Sequence, residues 1–351
     1  MAAEGRPSHA YLFHGPGGAD QRAVARELAA QLLSEGSRDP DGARDRVRSG
    51  AHPDLTWVVP SGAHEILVSD IAEPVVAAAS KTPFESRRRV FVIERVDELG
   101  DEAANRMLKT LEEPARFVHL ILLADRLSDV MPTISSRCQL VRFDAPSEKE
   151  VAAEIGSAEL SSEEALACAR LSLGDLDQAR ELAGPEGAEL RVHAERLART
   201  ALAGEVAQAK PWVELLAAVR ARGEVARREL EQRAGAELEL YPARERKRVE
   251  TEWGERVRRT RRRVETRTLD LALQLVGLWY ADLAALGWDA PEQVRHVHRM
   301  DVLGSEPRVD PARLVAAVEL VEETRRRFEL NVSEDLACEA LSYRLERLLA
   351  A

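Results

Sequence analysis

A glycine-rich run that follows a short apolar strand can wrap its backbone N–H groups around a phosphate, and this chain has one. His14-Gly15-Pro16-Gly17-Gly18-Ala19-Asp20-Gln21-Arg22 stands between a strand pattern and a helix pattern. A loop of the form G-x-x-x-x-G-K-[ST] needs its glycines for close backbone approach. It also needs a Lys to meet the β- and γ-phosphates and a Ser or Thr to hold Mg²⁺. On that spacing Gly15 takes the first glycine, Asp20 the second, Gln21 the Lys and Arg22 the hydroxyl. Three of the four requirements fail, and Asp20 would bring a negative charge beside the phosphates. The stretch holding Gly15, Gly18, Asp20, Gln21 and Arg22 therefore reads as a turn into a helix that binds no ATP productively. Val90-Phe91-Val92-Ile93-Glu94-Arg95 carries the second deficit. A strand ending in Asp-Glu would supply the metal-binding and water-activating carboxylates of a phosphate-loop ATPase. Glu94 keeps one carboxylate, whereas Arg95 stands where the water would be polarised. Two losses in separate parts of the chain point to a nucleotide site given up as a unit.

The elements that would position these residues alternate. Ala10–His14, Leu55–Val59, Ile66–Val68, Val90–Ile93, Val118–Ala124 and Gln139–Phe143 read as strands. Val118–Ala124 is a nearly continuous apolar run, as a strand buried on both faces requires. Arg22–Leu33, Ile71–Ala79 and Asp101–Leu111 repeat apolar residues at helical spacing. Asp70 reads as the cap of Ile71–Ala79, with Glu73 three residues on. Strand and helix in alternation predict an α/β domain with a parallel sheet over residues 1–145. After Pro146 no strand pattern remains. Ser147–Gly156, Ser162–Leu171 and Leu176–Leu182 read as short helices, broken at Gly174 and Gly184-Pro185. From about Leu190 the pattern is long helices rich in Arg, Glu, Ala and Leu.

Composition bounds the rest. The 351 residues suffice for two or three domains, and aromatic residues are only 4%, so the cores must be aliphatic. The net charge of −11 does not favour nucleic acid in bulk, so any DNA contact must come from a local patch. No uninterrupted apolar stretch approaches the ~20 residues of a membrane span, and Met1–His9 lacks the apolar core of a signal peptide. Cys138, Cys168 and Cys338 lie far apart without a CxxC pair, which predicts a reducing cytoplasm and no Cys-based zinc site. The eight histidines show no ligand spacing with carboxylates, so neither a metal nor another cofactor is expected.

Two further motifs carry a resemblance. They are Ala104-Asn105-Arg106-Met107-Leu108-Lys109-Thr110-Leu111-Glu112-Glu113-Pro114 and Pro132-Thr133-Ile134-Ser135-Ser136-Arg137-Cys138-Gln139. With His9-Ala10-Tyr11-Leu12-Phe13 and His52-Pro53-Asp54-Leu55, they make residues 8–145 closely similar to the bacterial clamp-loader AAA+ subunits of the DNA polymerase III holoenzyme. Leu171-Ser172-Leu173-Gly174-Asp175-Leu176 looks like that family's small helical lid. The remainder fits the helical collar through which the subunits join. The implied division is an AAA+ α/β domain over 1–145, a lid over 146–200 and a collar over 201–351. A lost phosphate loop beside a retained Ser136-Arg137-Cys138 resembles the delta-prime type of the family, not the ATP-hydrolysing gamma/tau type. The segment Ser34–Ala51 lacks the four cysteines with which many relatives bind zinc. Aligned on Gly174, the lid position that carries an Arg in motor subunits is Asp177 here.

The resemblance implies that Arg137 acts in trans on the ATP of a neighbouring motor subunit. A guanidinium is planar, always charged and bidentate, which suits the charge spread over a transferring γ-phosphate. The other reading of Arg137 is an interface residue that pairs a carboxylate. Ser136 and Cys138 would shape the loop at the partner interface; Lys109, Glu112 and Glu113 read as the end of a helix stopped by Pro114. The implied partners are gamma/tau and delta subunits, with the sliding clamp and primer-template DNA reached through a hetero-oligomeric assembly. No activity is expected of the isolated chain beyond membership of the polymerase holoenzyme. Two other readings stay open: an ATP-hydrolysing motor of the same fold, and a stand-alone nucleic-acid-binding protein. The second would use Arg244–Arg267, which holds eleven basic and five acidic residues and includes Arg258, Arg259, Arg261, Arg262 and Arg263. The same stretch also reads as a solvated helix held by i,i+4 ion pairs.

Overall fold

Tyr11 and Phe13 lie in one apolar cluster and Ala10 and Leu12 in another, because successive side chains of a strand leave the sheet on opposite faces. The same alternation divides Val90 and Val92 from Phe91 and Ile93, and Ile121 and Leu123 from Leu120 and Leu122. A sheet that is apolar on both sides must be covered on both sides. In the computed structural model, which describes residues 7–16, 18–60, 66–157, 160–238, 242–328 and 332–349, helices cover both. The strands are β1 (Ala10–His14), β2 (Leu55–Val58), β3 (Arg89–Ile93), β4 (Val118–Ala124) and β5 (Gln139–Arg142), paired in the order β2-β3-β4-β1-β5, all parallel. One face packs on α1 (Gly18–Ser34) and α2 (Pro40–Arg48) through Ala25, Ala29, Leu33 and Val47. The other packs on α3 (Val68–Ile71) and α4 (Asp101–Glu112) through Ile71, Ala104, Met107 and Leu111. The short helix α5 (Pro132–Ser135) leads into β5.

The strand ends and α4 lie within a residue or two of their sequence expectations. Residues 71–79 are helical as expected, but residues 66–70 do not follow their expectations. Ile66 forms only an isolated bridge to Leu99, and α3 begins at Val68. Its cap is Leu67, whose N–H donates to Asp70 Oδ2 at 3.1 Å, so Asp70 is the third helical residue and not the cap. Helix continues past Ile71 as one π-helical stretch, Ala72–Ala77, which contains Pro74; a proline cannot donate to the preceding turn, so regular α geometry is lost there. Helix α2 has no counterpart in the sequence reading. Asp39 caps it by accepting from the Gly42 N–H at 3.0 Å, with Pro40 at its first position.

The chain divides after Pro146, and Ser147–Ala351 form a second compact unit. Its described residues contain no strand. The helices are α6 (Glu148–Ile155), α7 (Ser162–Leu171), α8 (Leu176–Ala183), α9 (Pro185–Ala203), α10 (Val206–Ala209), α11 (Pro211–Leu238), α12 (Ala243–Gly287), α13 (Met300–Ser305), α14 (Pro311–Arg327) and α15 (Glu334–Leu349). Ser147 and Ser161 open α6 and α7 with capping boxes closed by Glu150 and Glu164. Residue 200, the expected division between lid and collar, lies within α9, and one apolar core runs from Cys168 and Leu182 through Leu197 and Trp279 to Leu345. Part of α12 is long and apolar enough to cross a membrane, yet 72% of that window is buried within the protein. Trp279 and Tyr280 within it are fully buried, and Tyr280 donates its hydroxyl hydrogen to the Ala198 carbonyl at 3.1 Å.

Candidate functional site

The glycine-rich turn leaves β1 at its carboxyl end, between β4 and β5, where the strand order reverses and parallel α/β sheets bind ligands. Gly15 sits there with φ +125°, and a Cβ on it would lie 2.0 Å from the Phe143 carbonyl oxygen. Only glycine fits. Its N–H donates to the Ala124 carbonyl at 3.2 Å, tying the turn to the end of β4. Gly17 lies outside the described residues, and α1 begins at Gly18.

Gln21 fills the position where a phosphate-binding lysine would stand. It is 1% exposed, and its amide NH₂ donates to the Gly15 carbonyl and, at 3.2 Å, to the Ala124 carbonyl. The side chain is turned inward onto the backbone of its own loop, where a phosphate would otherwise need an ammonium. The next residue continues the closure. Arg22 Nη1 lies 3.4 Å from Glu94 Oε2, and Glu94 Oε1 accepts from the Trp57 indole N–H at 2.6 Å. The one carboxylate kept at the end of β3 is thus already met by a cation and an indole, the cation coming from the position that would hold Mg²⁺. Asp20 is exposed at the start of α1. Arg95 adopts a left-handed backbone (φ 57°) and pairs with Glu98, so its side chain is not directed to a nucleotide either.

The two motifs that carry the family resemblance meet in space. Helix α4 ends at Glu112, with the Glu113 N–H donating to the Lys109 carbonyl at 3.0 Å. Arg137 stands in the turn between α5 and β5, where its N–H donates to the Ile134 carbonyl. Its Nη2 donates to Glu112 Oε1 at 2.6 Å, and its Nη1 to the Thr133 carbonyl at 2.8 Å and Ser136 Oγ at 3.3 Å. Three of the five guanidinium hydrogens are used in this way, while the side chain keeps 36% of its exposure. Glu112 therefore does more than end a helix; nothing in one sequence says that two segments twenty-five residues apart share an ion pair. Cys138 packs partly buried against the sheet core, and burial pushes its thiol up to about 11, which leaves it protonated and unsuited to nucleophilic work.

In the second unit Asp177 pairs with Arg180 at 3.4 Å on α8. Arg261 pairs with Glu224 and Glu265, and Arg262 with Glu334. The side chain of Arg244 lies outside the described residues. Among those described, no group of three or more His, Cys, Asp or Glu is arranged to hold a metal.

Comparison with known proteins bears on the first unit. Residues 1–147 match the family described as DNA polymerase III, delta subunit. The DNA polymerase III subunit delta' of Pseudomonas aeruginosa is 33% identical over 143 residues, 39% of this chain and 44% of that protein. That of Bacillus subtilis is 37% identical over 142 residues, 39% and 43% of the two chains. The subunit tau of Escherichia coli is 33% identical over 139 residues, 38% of this chain and 21% of its own. The matched region thus spans less than half the length of these relatives.

Proposed function

We propose, from the similarity of residues 1–147 to DNA polymerase III delta' subunits, that this chain is a clamp-loader subunit of DNA polymerase III that hydrolyses no ATP itself. One observation carries the reading: the nucleotide site is occupied by the protein's own side chains. Gln21 bonds the loop carbonyls and Arg22 neutralises Glu94. A nucleotide would have to break both contacts and would find neither ammonium nor hydroxyl in return. Closed in this way, the domain cannot be switched by a γ-phosphate of its own, and it serves as the stationary member of its ring.

Its contribution to hydrolysis is Arg137, offered to ATP held by an adjacent gamma/tau subunit. The guanidinium is held by the Thr133 carbonyl, Ser136 Oγ and Glu112. The unused N–H groups remain for the phosphate oxygens on which negative charge develops. A charge-assisted fork of this kind is worth roughly 10³–10⁵ in rate where an arginine is supplied in trans. Ser136 and Cys138 shape the turn that carries it. Gamma/tau and delta subunits are the direct partners, the sliding clamp and primer-template DNA are reached through the assembly, and the setting is the cytoplasm. The short helices after Pro146 act as the lid and the long helices that follow as the collar, the two sharing one apolar core.

The test is ATP turnover, stimulated by clamp and primer-template DNA, of an assembly reconstituted with this chain or its Arg137→Ala variant. A large drop with the assembly intact by size supports the reading. Unchanged turnover reduces Arg137 to an interface residue. The likeness to a tau subunit favours a second reading, a motor of the same fold; it requires nucleotide-dependent stabilisation of the isolated chain.

A further inference from the structure

We propose that the segment Arg256–Arg267 of α12 is a docking surface for the phosphate backbone of nucleic acid. The proposal does not depend on the role of Arg137. The apolar core of the second unit takes in α11 only as far as Val219 and α12 only from Leu269. Between those points the two helices pack on each other in antiparallel register: Arg261 meets Glu224 at 2.9 Å, and a Cβ on Gly223 would lie 2.5 Å from Glu265. Few apolar side chains are buried along this stretch, Ala234, Val249 and Val257 among them. The hairpin is a charged projection from the core and not part of it.

The charge on that projection is concentrated. Residues 256–267 hold seven arginines and a single carboxylate, in a chain whose net charge is −11. The carboxylate, Glu265, is buried and already bonded to Arg261. Arg262 is paired with Glu334 at 2.8 Å, and Arg256 lies over the Trp253 ring. Arg258, Arg259 and Arg267 make no ion pair among the described residues. Arg258 and Arg267 are exposed, and Arg259 has a buried Nε without a partner. The segment exposes no large apolar side chain, since Val257 is buried and Val264 half-buried. A protein partner is usually anchored by aromatic or apolar side chains seated in pockets. Arg258, Arg259 and Arg267, forked and permanently charged donors outside the ion pairs of Arg261 and Arg262, fit instead a polyanion read through its phosphates. Elsewhere the chain's acidic balance works against a polyanion, which directs the contact to this segment.

The experiment is fluorescence anisotropy of the full chain with a labelled DNA duplex of mixed sequence at 50, 100 and 200 mM NaCl. It compares the parent, the triple variant Arg258→Ala, Arg259→Ala, Arg267→Ala, and the triple variant with Lys at the same positions. Three phosphate contacts contribute about 2.7 to the slope of log affinity against log salt, so the parent should lose roughly 40-fold more affinity than the Ala variant between the lowest and highest salt. The Lys variant should keep most of the slope, and a second duplex sequence should bind equally well. Absence of binding at 50 mM, or an unchanged slope in a folded Ala variant, overturns the proposal. Competition by poly-glutamate as effective as that by DNA also overturns it, in favour of an acidic protein.

Discussion

Arg22 and Glu94 stand 3.4 Å apart, the first in the opening turns of α1 and the second at the end of β3, so Arg22 neutralises the carboxylate that a bound Mg-nucleotide would need and offers no hydroxyl in its place. Mg·ATP is therefore expected to leave the thermal midpoint of the isolated chain unchanged. A chain with an intact site would gain about 2.7 kcal/mol at a hundredfold excess of ligand over its Kd. Scanning calorimetry with and without millimolar Mg·ATP separates the two, and an upward shift of several degrees would refute the closed site. Gln21→Lys alone should not restore binding, because Arg22 stays on Glu94.

Gln21 also has a structural consequence. Its amide satisfies two backbone carbonyls, those of Gly15 and Ala124, while it is almost wholly buried. Gln21→Ala takes the donor from the Gly15 carbonyl and leaves the Ala124 carbonyl with the Gly15 N–H, and Gln21→Glu puts a carboxylate against them. A loss of about 1–3 kcal/mol is expected for the first, and a larger one for the second, in urea unfolding. Equal stability of all three proteins would mean that water replaces the amide without cost.

Arg137 and Glu112 form an ion pair that is half exposed on both sides, and such a pair contributes only about 0–1 kcal/mol to folding. Glu112→Gln and Arg137→Ala should therefore leave the thermal midpoint within a degree or two. In the reconstituted assembly they should part. Arg137→Ala removes the guanidinium and lowers turnover strongly. Glu112→Gln leaves Arg137 with the Thr133 carbonyl and a weaker acceptor, and lowers it less. Parity of the two variants, in either direction, would contradict the division of labour between them.

The sheet was legible because its residues answer to one strong constraint. Val118–Ala124 is apolar but for His119, and a strand buried on both faces accommodates such a run. The loss of the phosphate loop was legible too, as it rests on side-chain chemistry at fixed spacing. What replaced it was not. Gln21 and Arg22 declare an absence by type, but that one turns onto Gly15 and the other onto Glu94 depends on β4 lying beside β1 and β3 beside β4. The segment at 66–68 misled because Ile66 and Val68 look β-branched and apolar in isolation, whereas the pairing available to Ile66 is one bridge. Helix α2 was hidden by its composition: it is mostly charged, and only Ala43 and Val47 are buried. The arm made by α11 and α12 could be read as helical, yet where the core lets go of it is a matter of packing, set by Val219 and Leu269.

Asp282 is wholly buried on α12 and accepts from the Arg295 N–H at 2.9 Å, the His296 N–H at 2.8 Å and His296 Nδ1 at 2.8 Å, with Arg295 Nη1 at 3.4 Å. A buried carboxylate met by this many donors pins the loop before α13 to the core. Asp282→Ala removes the acceptor and strands two buried N–H groups, so a loss of about 3–5 kcal/mol is expected. Asp282→Asn, which keeps an acceptor, should lose less. Urea midpoints would measure both, and a loss below about 1 kcal/mol for the Ala variant would show that the loop is held by something else.

His298 gives the pH dependence a sign. Burial first, then the nearby charges of Arg191, His296 and Arg299, lower its imidazole from the ordinary value near 6.5 to about 4, with Glu164 opposing. Above 6.5 neither folded nor unfolded chain carries this proton, and no stability depends on it. Between 6.5 and 4 the unfolded chain takes it up and the folded one does not, so stability falls with falling pH through that window. From pH 7 to pH 5 the loss should be about 1–2 kcal/mol, allowing for solvent screening of a partly exposed ring. His52 and His119, lowered chiefly by burial, add a loss of the same sign. Subtracting the pH profile of His298→Gln from that of the parent isolates the one residue. If the difference is flat from pH 7 to 5, His298 takes up its proton as readily in the folded as in the unfolded chain, and its surroundings do not exclude the charge.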